Sequence, residues 1–122
     1  MSTERGSVSI VFAAGVLLAL VLTMGIADVG RVVLARSRAR TAADAAALAA
    51  ADELALPTGL DPATLAQEYA ARNSGSLTAC ICEVGTFEAD VTVTVHVGSL
   101  LLFPGAREAV ARARAVVDLP SG

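Results

Sequence analysis

Cys80 and Cys82, one residue apart, and His96, the single histidine, carry the most reactive side chains in this 122-residue chain. Two thiols and an imidazole are one donor short of the tetrahedral set that a structural zinc ion takes. The cysteines fall in "LTACICEV", where strand alternation puts both on one face. They read as buried thiols beneath a helix or as a pair joined in an oxidising compartment, where the Cys-x-Cys ring is tight. A redox or intersubunit role is the competing reading. His96 lies among threonines and is expected at a solvent-facing or edge position. Glu88 and Asp90 share a strand face as ordinary solvated charge. The sequence places no Ser/His/Asp set, phosphate loop or paired-carboxylate motif. The expectation is therefore no catalytic, cofactor-binding or metal-binding residue, no small-molecule substrate and no enzyme.

The arginines that cluster at Arg31, Arg36, Arg38 and Arg40 have no interleaved aromatics for base stacking. The net charge is −3, whereas a phosphate footprint needs a basic surface, so nucleic acid is not an expected partner. The residues are 55% hydrophobic yet only 3% aromatic. That imbalance points to close packing of small side chains rather than to a core filled by large ones.

The elements that hold these residues begin with a run that has no charge. Ser7–Ala27 spans 21 residues between Arg5 and Asp28. At about 1.5 Å per residue it crosses a hydrocarbon layer of about 30 Å. A buried core helix would show a polar face, and this run has none. A secretory signal cleaved after Ala27 is the alternative, since "GIA" has the small-x-small pattern, although Glu4 opposes Arg5 in the n-region. The arginine excess follows the span, which by the positive-inside rule would place the C-terminal part in the cytoplasm.

From Asp28 to Leu56 there is no proline, and alanine, leucine and arginine favour helix. One helix is expected to run on to about Leu56, where Pro57 and Gly59 stop it. Asp28 with Arg31 and Arg40 with Asp44 are spaced for local ion pairs, and the arginines for a collar at headgroup level. The alanines of Ala42–Ala51 either let another helix backbone approach closely or simply form a good helix with a small apolar face. Asp61 and Pro62 open a second helix that ends at Asn73–Gly75, with Leu65 and Tyr69 facing a core. Val91–Val97 alternates, with valines on one face and Thr92, Thr94 and His96 on the other. It forms a hairpin with the cysteine segment through Gly85. The segment 107–119 reads as helix or strand; strand is favoured, with Ala109, Ala111, Ala113, Ala115, Val117 and Leu119 as its apolar face.

The stretch "GSVSIVFAAGVLLALVLTMGIADVGRVVLARSRARTAADAAALAAA" resembles the N-terminal segment of TadE/TadG-like proteins of Tad (Flp) pilus-assembly and secretion systems. In that family a glycine opens an apolar helix, Asp-x-Gly-Arg follows, and an alanine-rich run closes it. Gly6, Asp28, Gly30, Arg31, Asp44 and Leu48 fall in register with that pattern. Ala39 and Arg40 replace the Leu-Gln that often precedes the alanine run, and Val11 occupies the position of the pilin glutamate. The missing glutamate resembles TadG-type N-termini and the short length resembles TadE, as in small TadE-like proteins of actinobacterial Tad clusters.

The resemblance implies a membrane-anchored pseudopilin or accessory component of a Tad/Flp pilus or related secretion apparatus. Its partners would be other Tad subunits, met through the N-terminal helix, together with the membrane and further copies of the chain. The expected fold is α+β, a long transmembrane helix continuing into a pilin-like domain with a short second helix and a three-stranded antiparallel sheet. The expected divisions are a leader-like segment 1–6, a transmembrane helix 7–27, a membrane-exit helix 28–56 and an extracytoplasmic domain 57–122. The chain is expected in the cytoplasmic membrane as a single-pass protein. The competing readings are a secreted or surface binding domain and a cytoplasm-facing membrane regulator.

Overall fold

A computed structural model describes residues 2–103 and 105–121. Met1 of the expected leader-like segment, and Pro104 and Gly122 of the expected domain 57–122, lie outside the described residues. Five elements follow one another: α1 (Ser2–Ala55), α2 (Pro62–Arg72), β1 (Ser76–Ile81), β2 (Glu88–Ser99) and β3 (Ala106–Val116). The fold is α+β, with the strands in the order β1-β2-β3 and every pairing antiparallel. The segment 107–119, open to two readings in the sequence, is strand as far as Val116. Val117 still donates its N–H to the Phe87 carbonyl at 2.9 Å, while Leu119 lies past the strand and is exposed.

The two halves of α1 face different surroundings. Every described side chain from Arg5 to Met24 is exposed, and the most apolar window of the helix has 0% of its residues buried. Beyond it, Asp28, Ala35, Ala39, Ala42, Ala43, Ala46, Ala47, Ala50 and Ala51 are buried at helical spacing. Alanine is the reason one helix serves both purposes. A face without bulk brings the helix axis close to the sheet, and Val91 and Val93 fill the remaining space at 0% exposure. The alanine run is thus covered within its own chain by the sheet and α2. Its opposite side leaves Leu48 and Asp44 exposed.

β2 alternates as its sequence requires: Ala89, Val91, Val93 and Val95 are buried against α1, and His96 is exposed. Asp61 caps α2, its carboxylate accepting the Thr64 N–H at 2.9 Å, with Pro62 in the first turn. The buried face of α2 differs from the expected one. Ala66 and Ala70 are at 0% exposure, whereas Leu65 is half-buried and Tyr69 lies outside with the Arg72 guanidinium 5.0 Å from its ring centroid. Alanine wins because α2 meets the alanine face of α1, where a leucine or tyrosine would hold the helices apart. Gln67 ties α2 to β1, its Oε1 accepting the Leu77 N–H at 2.9 Å.

Candidate functional site

The foot of the sheet meets α1 at the first residue beyond the apolar run. Asp28 is 3% exposed, and its carboxylate accepts the N–H of Leu101 at 2.7 Å and of Leu102 at 2.8 Å. Arg31, one turn on, donates from Nη1 to the Ser99 carbonyl at 2.9 Å. The spacing that was expected to form a local ion pair therefore forms a clamp on the β2–β3 loop. Neither the Asp28–Arg31 nor the Arg40–Asp44 pair closes among the described residues. The physical reason is that the loop's N–H groups have no ladder partners, and a carboxylate satisfies two of them at once.

The loop that is held there is apolar. Leu100 is buried at 7%, while Leu101, Leu102 and Phe103 are exposed at 54%, 38% and 56%. Leu102 reaches back along the stem, with its Cδ1 3.6 Å from where a Cβ on Gly25 would stand. Arg107 lies over the Phe103 ring at 5.7 Å. A cleft of about 260 Å³ separates the loop from Val29 and Val33 of α1. Sequence reading missed this loop entirely. The signal was "LLLF" between two strands, where turns are normally polar.

If Asp28 holds the loop, Asp28→Asn should quicken amide hydrogen exchange at Leu101 and Leu102 by about tenfold or more, with little change in the α1–β2 core. Exchange on the full chain in detergent micelles is the measurement. Equal rates in both proteins would mean that the loop is held by packing alone.

The remaining candidates are dispersed. Arg36 and Arg40 border an open groove of about 510 Å³ beside β3, with Glu108 and Arg112 on its far side. Arg38 is exposed. Gly6 and Gly30 are exposed with nothing within 4 Å of an added Cβ, and Val11 is 69% exposed on the bare stem. His96 faces Glu108 across the strands at 3.5 Å on the outer side of the sheet. Glu88 and Asp90 are not merely solvated. Arg114 Nε meets Glu88 at 2.7 Å, and Arg112 makes two bonds to Asp90 at 2.7 Å each. These cross-strand pairs lie on the face away from α1 and lock β2 to β3 in register.

Cys80 and Cys82 are joined to each other as a disulfide, with Cα atoms 5.5 Å apart, and both are half-buried against the edge of the core. A ring this small removes little chain entropy, so reducing it is expected to lower stability by only about 1–2 kcal/mol. Urea unfolding with and without a thiol reductant measures this; a loss above about 4 kcal/mol would show that the bond also maintains the β1 edge.

A bare apolar stem that becomes the core helix of a small antiparallel sheet defines a helix-on-sheet protein with an N-terminal helix long and apolar enough to cross a membrane. Residues 6–53 match the family model described as "Putative Flp pilus-assembly TadE/G-like". The matched stretch runs from the glycine at the base of the stem to Glu53 near the end of α1, so this part of the chain is similar to that family. No curated protein and no solved structure matches the chain.

Proposed function

We propose that the chain is a TadE/TadG-like component of a Tad/Flp pilus-assembly or related secretion apparatus, of the small actinobacterial TadE-like kind, anchored in the cytoplasmic membrane by residues 7–27. The observation that carries this reading is the bare stem. Twenty consecutive described residues, Arg5–Met24, are exposed, ahead of a helix half that buries one face. In water such a stem would expose a contiguous apolar surface far beyond what soluble monomers show. In a bilayer, or among the stems of other subunits, it is covered. The similarity of residues 6–53 to the family supports the same system. The Thr23 hydroxyl donates to the Ala19 carbonyl at 2.8 Å, which suits a threonine in hydrocarbon.

The sheet lies outside the cytoplasm in this reading. The Cys80–Cys82 bond supports that side, since disulfides persist in oxidising compartments. The arginine excess after the span, which counts for the cytoplasm, is partly engaged by the fold through Arg31. Because the alanine run is covered within the chain, other subunits are met through the stem. The protein acts by anchoring and packing, with Val11 where a polymerising pilin carries its glutamate, and without catalysis.

The test is the mass of the mature protein from membranes, together with pull-down of the Tad membrane platform. A chain that keeps residues 7–27 and retains platform subunits supports the reading. A chain that starts at Asp28 overturns it in favour of a secreted domain.

A further inference from the structure

We infer that the β2–β3 loop, Leu100–Phe103, is a second membrane contact that seats in the interfacial layer of the leaflet from which α1 emerges. The inference rests on the membrane-spanning reading of residues 7–27 and goes beyond it. Its first support is depth. Asp28, the first residue past the span, holds the N–H groups of Leu101 and Leu102, so the loop backbone sits at the level where the helix leaves the hydrocarbon. Leu102 extends further, to Gly25 within the span. The second support is composition. Three consecutive large apolar side chains are exposed at that level, on a loop pinned to α1 through Asp28. The third is charge. Arg31, which donates to the Ser99 carbonyl, and Arg107, over the Phe103 ring, flank the loop with guanidinium groups, which at a membrane surface meet lipid phosphates while their stems lie on apolar surface.

A span alone lets the sheet swivel about the helix axis. A loop seated beside it fixes which face of the sheet turns toward the bilayer. The lipid surface is the occupant the observations favour over a second copy, because Leu102 reaches Gly25 of the span and the exposed side chains lie beside the apolar surface of the stem.

The chain has no tryptophan, so single reporters can be placed. Full-length Phe12→Trp, Phe103→Trp and Val84→Trp variants are reconstituted one copy per nanodisc, with lipids brominated either near the headgroup or near the chain end. The inference expects Phe103→Trp to be quenched by the shallow bromines and emit at short wavelength, Phe12→Trp, about 8 Å into the hydrocarbon, to be quenched by bromines at both depths, and Val84→Trp to be quenched by neither. Quenching of the Phe12→Trp variant with none for Phe103→Trp overturns the loop contact and leaves the span intact. A Phe103→Trp variant that is blue-shifted yet unquenched shows cover by protein and overturns it too. No quenching of Phe12→Trp overturns the spanning reading and the inference together. A Leu101→Ser/Leu102→Ser pair, with the far-ultraviolet signal unchanged, is expected to abolish the shallow quenching at Phe103→Trp; undiminished quenching overturns the role given to these leucines.

Discussion

Gly75→Leu should destabilise the protein by about 4 kcal/mol or more, and Gly75→Ala should cost about 1–3 kcal/mol. Gly75 is buried where the end of α2 turns into β1, and its N–H donates to the Ala70 carbonyl at 2.9 Å. A Cβ there would stand 2.5 Å from Val93 Cγ1 and 2.9 Å from the Ala42 Cβ. Val93 is itself at 0% exposure and Ala42 belongs to the α1 face, so neither has room to move. A leucine would have to separate α1 from the sheet along its best-packed line, at a cost of about 4 kcal/mol or more, a large share of a small domain's stability. Urea unfolding followed by circular dichroism in detergent micelles is the measurement. Gly30→Ala is the control: nothing lies within 4 Å, and in mid-helix the alanine is expected to add up to about 1 kcal/mol. A Gly75→Leu protein of normal stability would mean that the α1–β2 approach is looser than described.

Glu53→Gln should lower the melting temperature by about 5–10 °C at neutral pH and flatten the acid limb of the stability profile. Glu53, 6% exposed near the end of α1, folds its carboxylate over the following turn. Its Oε1 accepts the N–H groups of Thr58, Gly59 and Leu60 at 2.7, 3.0 and 3.0 Å, and its Oε2 accepts the Thr58 hydroxyl at 2.7 Å. Gly59, at φ +96°, supplies the left-handed backbone that lets successive N–H groups converge. The Thr58 hydroxyl is the main cause holding the Glu53 carboxyl below its ordinary 4.5; burial opposes it, and the three backbone donors assist. With the folded pKa below the unfolded one, the stabilisation is complete above about pH 5. It is lost as pH falls through 4.5 toward the folded value. Asp90, held below its ordinary 3.8 chiefly by its hydrogen bond from Arg112, adds to the acid limb of both proteins and cancels in the comparison. A glutamine keeps one acceptor but turns an NH₂ toward donors. Superimposable acid limbs would show that another group governs acid unfolding.

These two sites mark where the sequence was legible and where it was not. The elements came through because their signals are local: the uncharged run, the Asp61–Pro62 start of α2, and the valine alternation of β2. Gly75 was legible only as a helix terminator. Yet it is Ser74 that takes the left-handed turn, at φ 63°, and Gly75 is needed for space against residues far along the chain. Glu53 and Asp28 were opaque for a related reason. A carboxylate's partners are backbone N–H groups, which every sequence carries and none advertises. Tyr69 misled because large apolar side chains are the usual core signal, and this core is built on alanine.

The unbroken α1 also has a mechanical consequence. With Ser7–Ala27 in a bilayer, the sheet has no hinge by which to keep its own attitude. From Ala27 to Leu54 the helix measures about 40 Å. A stem tilt of about 20°, ordinary for membrane helices, would carry the far end some 14 Å sideways, hairpin and α2 with it. Neighbouring stems that tilt together would thus steer what their outer parts touch, as a rudder post turns the blade it is built into.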